Sequence, residues 1–206
     1  MRSSSYVVLD VETTGLRPGR HGLTEVYAAR VDGHGNVEED FHSLVNPGHP
    51  VPTFITRLTG IDDEMVEDAP EPREAVKEFD RFLRKDDVLV GHNLRFDLSF
   101  LGHERLRLFE RPFPQQPLCT LKLSRRVFAP EPFPSYRLGV LAERLGIPLE
   151  GAHRARADVM ATVALKQELF KRMENVGFSD REDALNLQSL PLRQAASLFT
   201  PRTGRE

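Results

Sequence analysis

Residues 6–15 read Tyr6-Val7-Val8-Leu9-Asp10-Val11-Glu12-Thr13-Thr14-Gly15, and the rest of the chain is arranged around them. Val7, Leu9 and Val11 alternate with Tyr6, Val8, Asp10 and Glu12. On an extended strand side chains two apart share a face, so Asp10 and Glu12 point the same way. Two adjacent carboxylates repel and are driven towards protonation unless a cation sits between them, and a pair of oxygen donors suits a hard divalent ion. A strand end with two solvated acids has the same pattern. The remainder of the chain has to decide between them.

Its 206 residues, 39% hydrophobic and 29% charged, suit one well-buried domain with an appendage. No apolar run approaches the ~20 residues needed to span a bilayer. The opening MRSSSYVV lacks the apolar core of a signal peptide, so the expectation is a cytoplasmic protein without a membrane partner. One cysteine, Cys119, excludes an internal disulfide and a cysteine-rich metal site; it reads as a small buried hydrophobe. The net charge of -3 is no footprint of a strongly basic nucleic-acid binder, although clustered catalytic acids would enter that figure without their metals. Basic residues gather at Arg105, Arg107 and Arg111, at Lys122, Arg125 and Arg126, and at Arg154 and Arg156; each group is either a solvated face or a phosphate track.

Strands are expected over residues 23–31 and 37–46, joined by the hairpin turn Asp32-Gly33-His34-Gly35-Asn36. The proline-rich stretch 47–72 reads as irregular chain with a short helical piece at 52–58, and residues 73–85 as an amphipathic helix. Val88-Leu89-Val90 is a buried strand ending in Gly91-His92-Asn93, with Asn93 as N-cap of a helix carrying Leu94, Leu98 and Leu101 on one stripe. Asp97 lies on that stripe. A carboxylate pushed towards a core is costly unless paired or bound to a cation, so either an arginine or a metal is expected there. Further helices are predicted at 120–128, at 136–145 with Ser135 as cap and Gly146 as stop, and at 154–173. On the last, Asp158 shares a stripe with Ala161, Thr162, Leu165 and Leu169. His153, five residues before Asp158, diverges from it on a continuous helix and can reach the same site only from a preceding loop.

Three motifs now stand in order: Asp10-Val11-Glu12-Thr13-Thr14-Gly15, then Gly91-His92-Asn93 with Phe96-Asp97, then His153-Arg154-Ala155 with Asp158. Together they resemble the three exonuclease motifs of the DEDD, or DnaQ-like, 3′-5′ exonuclease superfamily, in its DEDDh branch and near the bacterial DNA polymerase III epsilon-type proofreading exonucleases. Leu58-Thr59-Gly60-Ile61 and Ala69-Pro70 resemble the linking segment. The resemblance implies an α/β, ribonuclease-H-like fold: a mixed five-stranded sheet, its first three strands antiparallel, with helices on both faces. It implies that Asp10, Glu12, Asp97 and Asp158 bind two divalent ions, Mg²⁺ or Mn²⁺, and that His153 is the general base. Thr13 and Leu16 resemble positions that contact the terminal nucleotide. Asn93 and Phe96 each have two readings: contacts to the scissile-side nucleotide, or an N-cap and a core aromatic. His92 likewise reads as a core histidine. Glu25-Val26-Tyr27 departs from the family, which has a small residue where Tyr27 stands, leaving the packing around the second strand open.

The expected activity is release of nucleoside monophosphates from 3′ ends, with single-stranded or frayed DNA favoured over RNA; an exoribonuclease or a non-catalytic nucleic-acid- or clamp-binding module are the alternatives. The domain is drawn over residues 1–174. Residues 175–206 are expected as a peripheral or partly disordered tail. Within that tail, Gln194-Ala195-Ala196-Ser197-Leu198-Phe199 resembles peptides that dock on sliding clamps, or packs as a terminal helical turn. Oligomeric state stays open.

Overall fold

The computed structural model describes residues 5–130 and 133–200. Its strands are β1 (Tyr6–Thr13), β2 (Leu23–Val31), β3 (Val37–Leu44), β4 (Val88–Gly91) and β5 (Gln116–Cys119). They form one sheet in the order β3-β2-β1-β4-β5. The first three are antiparallel, and β4 and β5 add in parallel beyond β1. The helices are α1 (Thr53–Thr59), α2 (Asp63–Val66), α3 (Pro72–Phe82), α4 (Arg95–Phe109), α5 (Thr120–Val127), α6 (Leu138–Leu145), α7 (Ala155–Glu174), α8 (Arg181–Leu187) and α9 (Leu192–Phe199). This is the mixed sheet with helices on both faces expected of a ribonuclease-H-like fold.

The alternation in β1 divides the core. Tyr6 and Val8 pack with Leu123 of α5, Leu141 of α6 and Ala155, Val159 and Leu165 of α7. Val7, Leu9 and Val11 pack on the other face with Ala75, Val76 and Phe79 of α3 and Phe100 and Leu101 of α4. Asp10 and Glu12 are in step with Tyr6 and Val8, so they belong to the α7 face. The pairing of β1 with β4 ends at Val8↔Val90, while β1 continues to Thr13. A crevice therefore opens beside Asp10 and Glu12, at the carboxyl ends of the parallel strands where open α/β sheets bind ligands. Gly91 sits at its edge, where a β-carbon would come within 3.1 Å of the Leu9 carbonyl oxygen and 2.8 Å of Leu94.

Several local expectations are corrected. Asn93 has φ 65°, and Leu94, not Asn93, caps α4, without a side-chain bond. Asn93 thus serves as a left-handed turn residue. Ser135 accepts from the Arg137 N–H at 3.3 Å instead of capping a helix, which starts only at Leu138. Residues 116–119, directly before the helix predicted at 120–128, form β5, tolerated as a strand despite Pro117 because it lies at the sheet edge. Tyr27 fits its strand: it is 3% exposed, packs in the α7-side core and donates its hydroxyl to Asp40 at 2.8 Å.

Residues 175–200, expected as a peripheral or partly disordered tail, carry α8 and α9. Asp180 and Asp183 cap α8 reciprocally, and Ala184, Leu187 and Ala195 join the α7-side core. Gln188 completes the outer edge of β5, accepting from the Cys119 N–H at 2.9 Å and donating to the Pro117 carbonyl at 2.9 Å. Arg105, counted above in a basic cluster, is neither solvated nor on a phosphate track: it is 3% exposed, pairs with Asp80 and donates to the carbonyls of Arg111 and Pro112. Among the described residues no helix is long and apolar enough to cross a membrane.

Candidate active site

β1 supplies Asp10 and Glu12, and the first turn of α7 supplies Asp158. One carboxylate oxygen from each lies within 4.8 Å of the other two. Such crowding disfavours three negative charges at once. Burial first, then the charges of Asp97, Glu12 and Asp158, push the Asp10 carboxyl well above the usual carboxylate range. Burial and the charges of Asp158, Glu25 and Asp97 push Glu12 up to about 8, with Arg154 opposing. Burial raises Asp158 too, against the His153 N–H and charge that favour its ionised form. Half-buried hard oxygen donors whose ionised forms are disfavoured fit a divalent cation, which reverses each of these shifts.

Asp97 comes from the opposite layer. α4 packs beneath the Val7, Leu9 and Val11 face, so Asp97 approaches the site around the sheet end where β4 has left β1. It is 2% exposed, and its Oδ1 accepts from the Val11 N–H at 3.2 Å, on a stretch of β1 beyond the reach of the β4 pairing. Burial pushes it up to about 8, its backbone bonds opposing and the charge of Asp158 adding. Asp97 lies outside the group of three mutually close oxygens, although its charge raises both Asp10 and Glu12.

His153 sits in an exposed loop before α7, with φ 67°, and its N–H donates to Asp158 Oδ2 at 3.2 Å. The loop turns back on the helix end, and so two residues that a continuous helix would separate stand together. A cleft of about 770 Å³ runs from Asp10, Asp158 and His153 past Asn93 to Tyr136 and Arg137. Asn93 is exposed in it. His92, partly buried in the cleft wall, is braced between Thr120 Oγ1 at 3.0 Å and the Tyr136 carbonyl at 2.8 Å, and burial lowers its pKa. Phe96 packs half-buried against Phe100, ring centroids 5.2 Å apart. Thr13 is buried and donates its hydroxyl to the Gly15 carbonyl at 2.6 Å, while Leu16 stands 80% exposed at the loop tip.

Sequence reasoning assigned no role to Glu25. It lies opposite Glu12 in the β1–β2 register and is 1% exposed. Arg154 Nε and Nη2 donate to it at 3.1 and 2.9 Å, the Ala155 N–H at 3.1 Å, and His42 Nε2 lies 2.9 Å away. Burial alone would raise its pKa; the bonds from Arg154, Ala155 and His42 hold it below the usual range instead. The departure noted in this stretch concerned Tyr27, not Glu25, and the partner of Glu25 lies 129 residues away.

The family model RNase_T, described as exonuclease, matches residues 7–165. A Mycobacterium tuberculosis protein whose name describes it as a bifunctional exonuclease/endonuclease is 40% identical over 184 residues, covering 86% of this chain and 28% of that protein. The PolC-type DNA polymerase III of Bacillus subtilis is 35% identical over 184 residues, covering 89% of this chain and 12% of that protein. The chain thus spans under a third of the length of these curated relatives. Among solved structures, E. coli exonuclease I in complex with a dT13 oligonucleotide superposes with a TM-score of 0.75 at 23% identity, over 84% of this chain and 42% of that one. That likeness is one of fold.

Proposed function

We propose that this chain, which belongs to the RNase_T exonuclease family, removes nucleoside monophosphates from the 3′ ends of single-stranded or frayed DNA by metal-dependent hydrolysis, as in proofreading or repair. The observation that carries the reading is the meeting of the Asp10, Glu12 and Asp158 oxygens at the mouth of the crevice, each carboxyl raised in pKa. With Asp97 they would hold two divalent ions, Mg²⁺ or Mn²⁺, whose combined charge matches four ionised carboxylates. When bound, such ions supply a water of lowered pKa and charge relief at the leaving 3′ oxygen. His153, reaching over Asp158 from its loop, takes the proton of the attacking water. Leu16 wedges against the terminal base from its exposed tip, and Thr13 offers its backbone beside it. Asn93, exposed in the cleft, holds the scissile-side nucleotide; Phe96, half-buried against Phe100 and not among the residues lining that cleft, is assigned a contact to the same nucleotide.

The preference for DNA over RNA is supported by the dT13 oligonucleotide named with E. coli exonuclease I and by the kinship with a DNA polymerase. Catalysis is assigned to residues 1–174, and the protein to the cytoplasm, where its buried free Cys119 stays reduced. Residues 194–199, the segment that resembles clamp-docking peptides, form most of α9; Ala195 is buried and Phe199 packs on the core. Docking of that segment on a sliding clamp would require α9 to leave the core. The test is release of mononucleotides from matched DNA and RNA oligonucleotides with Mg²⁺, Mn²⁺ or EDTA. Metal-dependent release, abolished in Asp10→Ala and faster on DNA, is the expected result. Faster release from RNA would transfer the substrate assignment to an exoribonuclease, and no release from either would leave a nucleic-acid-binding module.

A further inference from the structure

We propose that Glu25 and Arg154 form a positioning pair that fixes His153 over the carboxylate site; this rests on the reading of His153 as general base. His153 itself is poorly held. Its residue is exposed, its backbone is in the left-handed region, and its imidazole makes no hydrogen bond among the described residues. A side chain that must collect a proton from one point in space then depends on what holds its backbone.

Three consecutive residues are tied down. The His153 N–H is bound to Asp158, the Arg154 guanidinium grips Glu25 through two nitrogens, and the Ala155 N–H is bound to Glu25 Oε2. Glu25 is a firm anchor, because it lies within β2, 1% exposed, with Ala155 itself fully buried. It is also directly opposite Glu12. The loop bearing the base is thereby tied to the strand that neighbours the acidic strand, by a bidentate pair whose planar fork fixes direction as well as distance. The pair has a second effect. Glu25 is a fifth carboxylate beside the four proposed ligands, and its oxygens are already engaged by Arg154, Ala155 and His42, leaving Glu12 as the member of that opposed pair open to a cation.

Glu25→Gln puts an amide donor against the Ala155 N–H or the guanidinium, and Arg154→Lys keeps the charge but loses the fork. The experiment measures kcat and KM for Glu25→Gln, Arg154→Lys, His153→Ala and the double variant Glu25→Gln/His153→Ala, on whichever matched oligonucleotide the wild type degrades faster, with Mn²⁺ affinity titrated directly. The expected result is a kcat lower by roughly ten- to a hundredfold for each clamp variant, the loss of a misplaced group, with KM and Mn²⁺ affinity within about twofold. The double variant should be no slower than His153→Ala, because the clamp acts only through the histidine. Should Glu25→Gln fold poorly, Arg154→Lys carries the same comparison, its side chain being 40% exposed. Wild-type kcat in a folded clamp variant while His153→Ala is slow would overturn the proposal alone, as would losses that multiply in the double variant. Wild-type kcat in His153→Ala would instead overturn the general-base reading beneath it, and the positioning role with it.

Discussion

At Asp10 and Glu12 the fold disfavours the ionised carboxylate, burial leading and neighbouring acids adding. Glu12 is pushed from 4.5 up to about 8 and Asp97 from 3.8 up to about 8, burial leading in both. Raised carboxyl pKa values mean that the folded chain binds more protons than the unfolded one between about pH 4 and about pH 8. Their contribution to stability is therefore present below the unfolded values and lost as pH rises through the folded ones. In EDTA the melting temperature is expected to fall between pH 5 and pH 8.5, and Mn²⁺ at pH 8 to restore it. A flat melting temperature across that range in EDTA would contradict the electrostatic account. At this scale the sequence was informative where periodicity is short: alternation in β1 was enough to put Asp10 and Glu12 on one face. It was silent where partners are distant, as for Asp97 and the Val11 N–H, or Glu25 and Arg154. Asn93 illustrates a third case, since a good N-cap residue is also one of the few that tolerate positive φ.

Elements are held by buried charge as well as by apolar packing. Arg30 of β2 is fully buried and ties three segments together, pairing with Glu39 of β3 and Asp87 before β4 and donating to the Phe82 carbonyl at the end of α3. Removing Asp87 leaves the buried guanidinium with only the solvent-exposed carboxylate of Glu39 as counter-charge, so Asp87→Ala is expected to cost about 3–5 kcal/mol in a denaturant titration. A loss under about 1 kcal/mol would show the pair to be dispensable. Lys166 of α7 is the opposite case. It is 1% exposed between the Tyr6 and Phe170 rings, and its ammonium has no hydrogen-bond partner among the described residues. Burial pushes it from 10.5 down to about 8. The folded chain then binds fewer protons than the unfolded one between those values, so stability rises with pH over that window. Lys166→Met is expected to raise the melting temperature at pH 7, with the gain shrinking towards pH 10.5; a lower melting temperature would mean that the aromatic contacts outweigh desolvation. The amphipathic helix α3 and the long helix α7 were legible from sequence to within a few residues. The strand β5 was not, because a four-residue edge strand containing a proline is specified by its neighbours β4 and Gln188 rather than by its own pattern.

For the molecule as a whole, the order of the motifs made the mixed sheet and its two helical layers legible, whereas the fate of residues 175–200 was not. Their apolar positions are few and spaced over two short helices, and their significance appears only against the surface of α5, α7 and β5. Deleting residues 175–206 uncovers that surface and the outer edge of β5, so the shortened chain is expected to melt lower by several degrees and to aggregate more readily. Unchanged melting, with full nuclease activity, would show the segment to be a separable tail. The central claim is that the crevice at the carboxyl ends of the parallel strands removes nucleotides from a 3′ end. The most direct measurement is a time course on one single-stranded oligonucleotide labelled at either its 5′ or its 3′ end, with Mn²⁺ present. The account predicts that the 3′ label leaves at once as mononucleotide while the 5′-labelled strand shortens one nucleotide at a time. Early loss of the 5′ label, or internal fragments from either strand, would contradict it.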